Sequence, residues 1–441
     1  MPWGFFGGIH PPTRKEATRG FAFVNLPVPH TCWIPLQQHI GAAAKPVVAV
    51  GDSVAEGQVI GAAEGFISAN VHASIPGKVV GIHEVITASG VRPAVVIEAE
   101  GSFSTTTVTP EPAEWQSLSI EEIRDRIKSA GIVGMGGAAF PTAVKLSPPA
   151  GRKIDTIVVN GAECEPYLTV DDMLMQTYPN EIIEGARIAR KVVGAQRILI
   201  GVEANKPAAL AALQAAVAAW LPEPIQVVKL PTRYPQGAER QMIYTLLKRE
   251  VPSGGLPMDA GVIVQNVGTL HAIREAVLFE RPLIARYLTV GGDAIAKPGN
   301  YKARIGMRLR DIVEECGGFR DRCAAVVIGG PMCGVAVPSL DVPVVKGTSG
   351  VLFLTEGEIA KGEYGPCIRC GKCVAACPMG LLPCDIANAT ERQRDDLAAA
   401  LHPFDCILCG SCSYVCPSKR PVSAFITQVR ARLSAAAKKA G

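Results

Sequence analysis

The 441-residue sequence has no long unbroken hydrophobic run. Its longest notable charge-free apolar stretch, residues 324–340, is interrupted by Gly329, Gly330 and Pro331. A membrane-spanning helix needs about 20 consecutive apolar residues, so none is expected. A basic-then-apolar leader is also missing from the N-terminus, and the expectation is a protein that stays in the cytoplasm. Charge of one sign is scarce. The 44 Lys and Arg oppose 40 Asp and Glu, and a net charge of +4 is too small to argue for nucleic acid. Low-complexity blocks are absent, although 45 Gly and 34 Pro imply many turns. With 48% hydrophobic and 19% charged residues, the composition is core-rich rather than disordered. The length suits three or four domains.

Cysteine is abundant. Thiols stay reduced in the cytosol, so 14 cysteines do not imply disulfides there. Nine of the 14 lie between 367 and 416. Cys367, Cys370, Cys373 and Cys377-Pro378 form C-x-x-C-x-x-C-x-x-x-C-P, and Cys406, Cys409, Cys412 and Cys416-Pro417 repeat it. This is the bacterial [4Fe–4S] spacing, and in two-cluster domains the last cysteine of each run ligates the other cluster. Cys367, Cys370, Cys373 and Cys416 are therefore assigned to one cluster. Cys406, Cys409, Cys412 and Cys377 are assigned to the second. Zinc would use two C-x-x-C pairs, which this order fits poorly. The helix-like ERQRDDLAAAL between the runs favours a helical ferredoxin-type domain. Cys384 breaks the spacing and reads as a structural thiol. Cys32, Cys164, Cys316, Cys323 and Cys333 are scattered, and burial is the expectation for each.

Residues 1–24 form an irregular Gly-, Pro- and aromatic-rich lead, read either as a strap over a neighbouring domain or as a docking segment. Short β-rich pieces follow over 33–100, and VGDSVAEGQVIG with ANVHASIPGKVVGI resembles the biotinyl/lipoyl carrier fold. The tip region 64–74 has no lysine, so the fold is expected without the carrier function. His72 near that tip reads as a surface or packing residue. Residues 101–117 read as a linker. A helix should follow, with Ser119 and Glu122 as its capping box. From 154 strands and helices alternate, which implies a parallel doubly wound sheet. Residues 284–346 read β-β-α-β, a small β-grasp-like module. The tail after Cys406 has six Lys or Arg and no Asp or Glu. It reads equally as an attractor for an acidic partner or anionic surface and as a solvated helix.

Two loops carry the remaining signal. In GIVGMGGAAFPTAVK, residues 131–145, Gly134, Gly136 and Gly137 let a backbone approach a ligand, and Lys145 could meet a phosphate; the alternative is a tight turn. The strand IDTIVVN runs into NGAECEPY, which puts Asn160, Glu163 and Glu165 at the carboxyl end of a strand. Ligands bind there in open α/β sheets. The alternative for the acids is a solvated loop.

These two loops, with YPQGAE (234–239) and VQNVGT (264–269), resemble the FMN- and NADH-binding loops of the complex I flavoprotein subunit. The order of parts differs. The GGIHPP lead, the barrel and the doubled cysteine motif resemble the C subunit of the Rnf electron-transport complexes, membrane-associated ferredoxin–NAD oxidoreductases. The resemblance implies four domains: a lead and biotinyl/lipoyl-like barrel over 1–116, a Rossmann-like FMN/NADH-binding α/β domain over 117–283, a β-grasp (SLBB-like) module over 284–350, and a helical two-[4Fe–4S] domain with a basic tail over 351–441.

The resemblance also implies FMN on the Gly134–Thr142 loop, including Gly136, Gly137, Ala138 and Phe140, with Lys145, Asn160, Glu163, Asn266 and Thr269 nearby. NADH would lie near Glu165, Tyr234, Gly237 and Glu239. Ala138-Ala139 departs from the usual Ala-Gly. Implied partners are other subunits of a membrane complex, including a ferredoxin-like one, at the cytoplasmic face of the inner membrane. Hydride exchange between NADH and FMN would feed single electrons to two clusters. The competing readings are a cobalamin reductase-type flavo-iron–sulfur protein and a non-enzymatic cluster relay.

Overall fold

The computed structural model describes residues 4–100, 111–359 and 362–440. The first ten residues of the expected 101–117 linker lie outside these. After the lead, two antiparallel sheets form a barrel-like sandwich. One orders Thr31–Pro35, Gly90–Ala99, Gly77–Thr87 and Ser53–Val54. The other holds Lys45–Pro46, Val59–Ala62 and Val71–His72. Alternation buries one face of each strand: Cys32 and Ile34, then Val95 and Ile97, face the core. His72 is buried with them, so its packing reading holds. Burial and the nearby Lys346 ammonium push its imidazole down to about 3, which keeps it neutral.

The helix Ile120–Ser129 starts at Ser119, whose capping box with Glu122 is complete, and buries Ile123 and Ile127. A four-stranded parallel sheet follows, ordered Ile225–Leu230, Arg197–Glu203, Thr156–Gly161 and Val262–Asn266. Its strands are short, apolar and flanked by helices, as parallel sheets require. The helix Pro179–Val193 begins with proline and ends at Gly194 in the left-handed conformation. It packs on Val267–Phe279 so closely that a Cβ on Gly185 would stand 2.0 Å from the Leu270 carbonyl oxygen.

A six-stranded mixed sheet orders Val24–Asn25, Gly299–Arg304, Ala285–Gly291, Gly350–Leu354, Ala325–Ile328 and Val335–Val337. The lead thus supplies an edge strand to a sheet far along the chain. The cysteine-rich region is helical, with Pro383–Glu391 packed on the long Val422–Ala440. The helix-like stretch from Glu391 is broken: one helix ends there and Asp395–Ala399 is separate, because Gln393 turns to φ +56°. No helix among the described residues is long and apolar enough to cross a membrane.

The lead acts as a strap. Gly8 N donates to the Ala376 carbonyl at 2.9 Å, and Ile9 exchanges backbone bonds with Tyr234. Elsewhere, Lys346 stitches three regions. Its buried ammonium donates to the carbonyls of Asn70 in the barrel and Gly131 before the glycine loop, the latter at 2.7 Å. Burial pulls this ammonium from 10.5 down to about 7. Between those pH values the unfolded chain holds more protons at this residue, so its contribution to stability falls as pH drops toward 7. Lys346→Met should flatten the rise of denaturant midpoint between about pH 7 and about pH 10; an unchanged rise would remove Lys346 as its source.

Candidate functional site

The parallel sheet has its topological switch between Thr156–Gly161 and Val262–Asn266, and in open α/β sheets the binding crevice lies at the strands' carboxyl ends there. Asn160 and Asn266 are register partners across that switch. Asn160 Nδ2 donates to the Gly237 carbonyl at 2.7 Å, and its Oδ1 accepts from Ala162 N at 3.2 Å. Asn266 caps the helix Val267–Phe279, accepting from Gly268 N at 2.8 Å, while its Nδ2 donates to Asp171 Oδ2 at 2.7 Å. Asp171 is half-buried, and loss of solvent around its carboxyl, with the neighbouring Glu163, pushes it up to about 7.

The glycine loop closes on itself through Gly134 N to the Phe140 carbonyl at 2.8 Å. It docks on the same helix through Met135 N to Thr269 Oγ1 at 2.9 Å. Gly136 lies against Asn266, where a Cβ would stand 3.0 Å from the Asn266 Cβ. Gly136, Gly137 and Ala138 are exposed, so a stretch of backbone faces the solvent side of the loop. Ala139 takes φ +50°. Glycine adopts that conformation at least cost, which explains why the resembling family places one here. Thr142 is buried, and Lys145 pairs with Glu239 at 2.8 Å.

The acidic loop is engaged within the chain. Glu163 accepts from Asp171 N at 2.7 Å and Asp172 N at 3.3 Å, capping the helix Val170–Thr177. Lys15 of the strap lies 3.8 Å from Glu163 Oε2, and both side chains are at most 3% exposed. Glu165 accepts from Met332 N at 3.0 Å and Cys333 N at 2.9 Å. Burial raises its carboxyl against those bonds. The Tyr234 hydroxyl donates to the Cys409 carbonyl at 2.7 Å and lies 3.3 Å from Glu165 Oε1 and 3.0 Å from Cys333 Sγ. Gly237 N donates to Cys164 Sγ at 3.3 Å. Four separate segments of the chain therefore meet at Tyr234.

Sequence reasoning did not find Lys15, Asp171 or Cys333. No spacing marks them, because their partners are distant in sequence. Cys333 is also exposed at its surface side, against the burial expected of it.

The cysteines fall into two groups. Cys367, Cys370, Cys373 and Cys416 line one cavity of about 700 Å³, and Cys384 joins them there. Cys377, Cys406, Cys409 and Cys412 lie within electrostatic range of one another. Burial pushes Cys406 up to about 11 and Cys412 up to about 12. A metal must displace such protons to bind. No three His, Cys, Asp or Glu side chains among the described residues converge as one metal ion would require. Two all-sulfur sets of four have the donor chemistry of an iron–sulfur group, whose irons are held by thiolates.

The second group faces the nucleotide-type domain. Beside the Tyr234 bond, Gln241 Nε2 donates to the Pro378 carbonyl at 3.2 Å, and Gly7 lies against the Cys377 carbonyl. The first group opens to the surface, where Ile368 is 64% exposed. We term the two sets inner and outer.

Four family profiles match: the RnfC barrel sandwich hybrid domain over 3–102, the Nuo51 FMN-binding domain over 127–275, the SLBB domain over 287–336 and the 4Fe-4S dicluster domain over 366–419. The chain is 45% identical to the C subunit of the proton-translocating ferredoxin:NAD(+) oxidoreductase complex of Clostridium ljungdahlii, over 86% of this chain and 82% of that one. It is 44% identical to the C subunit of the Na(+)-translocating ferredoxin:NAD(+) oxidoreductase complex of Acetobacterium woodii, over 91% and 90%. To the C subunit of the ion-translocating oxidoreductase complex of Rhodobacter capsulatus it is 41% identical, over 89% and 76%. Among solved structures, an NAD+-reducing [NiFe]-hydrogenase in the H2-reduced state shares the fold, with a TM-score of 0.50 and 20% identity over 74% of this chain and 63% of that one.

The Lys15–Glu163 pair is the buried contact on which the acidic loop depends. Lys15→Met should lower stability by ~3 kcal/mol, since it leaves a buried carboxylate without its nearest cation. Lys145→Met, at a half-exposed pair, should cost under ~1 kcal/mol. Denaturant unfolding of the two variants checks this, and equal costs would refute it.

Proposed function

The chain belongs to the family of C subunits of ion-translocating ferredoxin:NAD(+) oxidoreductase complexes, and from that premise we propose that it is the electron-transfer subunit that exchanges electrons with NADH at the sheet crevice and passes them through two sets of cysteines to a partner subunit. The observation that carries this reading is the bond from the Tyr234 hydroxyl to the Cys409 carbonyl. It joins the crevice domain directly to the segment that carries the inner cysteines.

FMN, when bound, converts between hydride transfer and single electrons. The residues present suit it. The exposed backbone of Gly136, Gly137 and Ala138 offers close approach, and Phe140 and Thr142 fix the loop's far end. Lys145 supplies a cation for a phosphate, drawn from its pair with Glu239. Asn160, Asn266 and Thr269 hold the crevice floor through their bonds to Gly237, Gly268 and Met135. Glu163 and Glu165 act as positioning residues: one holds the helix start and the other holds the segment at Met332 and Cys333. NADH is assigned to the space beside Glu165, Tyr234, Gly237 and Glu239.

Cys377, Cys406, Cys409 and Cys412 are assigned as ligands of the inner [4Fe–4S] cluster. Cys367, Cys370, Cys373 and Cys416 are assigned to the outer one. Thiolate loops of this spacing supply three ligands each, and the fourth crosses between runs. The family implies a peripheral subunit of a membrane complex, with the other subunits as partners. We assign it to the cytoplasmic face of the inner membrane.

The test is an anaerobic titration of the full chain reconstituted with iron, sulfide and FMN. NADH should bleach the flavin, and low-temperature EPR should then show reduced clusters. Clusters that form without flavin binding, with no response to NADH, would make the chain a relay and refute the nucleotide-site reading.

A further inference from the structure

Cys384 is the one cysteine of residues 351–441 that stands outside both runs. Spacing marks it as a bystander, but folding does not leave it apart. It lines the same cavity as Cys367, Cys370, Cys373 and Cys416. It is the second residue of the helix Pro383–Glu391, whose first-turn N–H groups have no partners within the helix. Both its thiol and its backbone N–H lie against the Cys373 sulfur, and Cys367 is within electrostatic range. The thiol also has a second acceptor, the exposed carboxylate of Asp385, whose Oδ1 lies 3.7 Å from the Cys384 sulfur.

The second run lacks this arrangement. Each run is followed by a proline at a helix start, Pro383 before Cys384 and Pro421 before Val422. Val422 is 2% exposed and packs beside Cys412 in the same apolar cluster. A valine has no hydrogen to donate. The two repeats are thus matched in their ligands and differ at this neighbouring position.

We propose that Cys384 is a positioning residue of the outer cluster, whose S–H donates a hydrogen bond to the Cys373 sulfur and raises that cluster's reduction potential. Hydrogen bonds to ligand sulfurs are among the terms that set iron–sulfur potentials. Reduction adds negative charge shared by those sulfurs, so a donor stabilises the reduced form more than the oxidised one. Removing the donor lowers the potential. The inference rests on the reading of Cys367, Cys370, Cys373 and Cys416 as [4Fe–4S] ligands.

The experiment uses the full chain, reconstituted anaerobically, as Cys384→Val and Cys384→Ser variants beside the unsubstituted protein. Iron and sulfide content comes first and reports whether both clusters are present. EPR-monitored redox titration then gives each midpoint, with the outer signal identified by its alteration in Cys370→Ala. With the outer cluster of the unsubstituted chain poised half reduced, Cys384→Val should shift its oxidised-to-reduced ratio about two- to tenfold toward oxidised, the range for one hydrogen bond of ordinary net worth. The serine variant keeps a donor and should stay near the unsubstituted value. The inner midpoint should not move.

Equal outer midpoints in all three chains would overturn the proposal and leave Cys384 as packing. Loss of outer iron in both variants would make it a ligand and overturn the donor role. Failure of the unsubstituted chain to hold two clusters would instead refute the ligand reading beneath it.

Discussion

A tyrosine hydroxyl ties the crevice domain to the cysteine domain, and much of the architecture serves that junction. Electrons pass between centres in a protein only where those centres are brought close, so the seam must be tightly packed. Tyr234 reaches the Cys409 carbonyl because the strap lies beneath it. The strap fits because it is Gly7-Gly8. A Cβ on Gly7 would stand 2.4 Å from the Cys377 carbonyl oxygen, and one on Gly8 would stand 2.7 Å from that of Tyr234. Both glycines also take positive φ. The Met332–Cys333 segment closes the seam from the other side, held by Glu165.

Buried cations perform a second structural task. Lys15, Lys206 and Lys346 are each at most 2% exposed. Burial of an ammonium is costly unless its protons find acceptors. All three donate to backbone carbonyls: Lys15 to Leu168 and Glu163, Lys206 to Ala162, and Lys346 to Asn70 and Gly131. Those of Ala162, Glu163 and Leu168 belong to the acidic loop and the segment after it, Gly131 precedes the glycine loop, and Asn70 lies in the barrel. The lysines therefore fix the shape of these segments, while the half-exposed Lys145 pairs with Glu239 instead.

The basic tail divides in the same way. Arg420 pairs with Glu391, Arg432 pairs with Asp395, and Arg430 donates to the Cys406 carbonyl at 2.6 Å. These charges hold the helix Val422–Ala440 against the cysteine loops. They are structural before they are attractive to any partner. Lys438, at the exposed end of that helix, is left to face solvent.

The cysteine spacing, the strand–helix alternation and the glycine loop are local patterns, and each was legible in the sequence. A short loop of three thiols or a parallel strand is specified by neighbours along the chain. The capping box at Ser119 and Glu122 is local in the same sense. The sequence alone thus determined four kinds of domain, two cluster motifs and a nucleotide-type crevice. The tertiary structure decided what no local pattern encodes. It made the lead a strap, brought Lys15 to Glu163, took up the Glu165 carboxylate at the Met332–Cys333 segment, separated inner from outer cysteines and carried Cys384 into the outer cavity. Each of these joins residues far apart in sequence. Their contacts form only when separate cores close against one another, and the free energy that selects them is that of the whole packed chain.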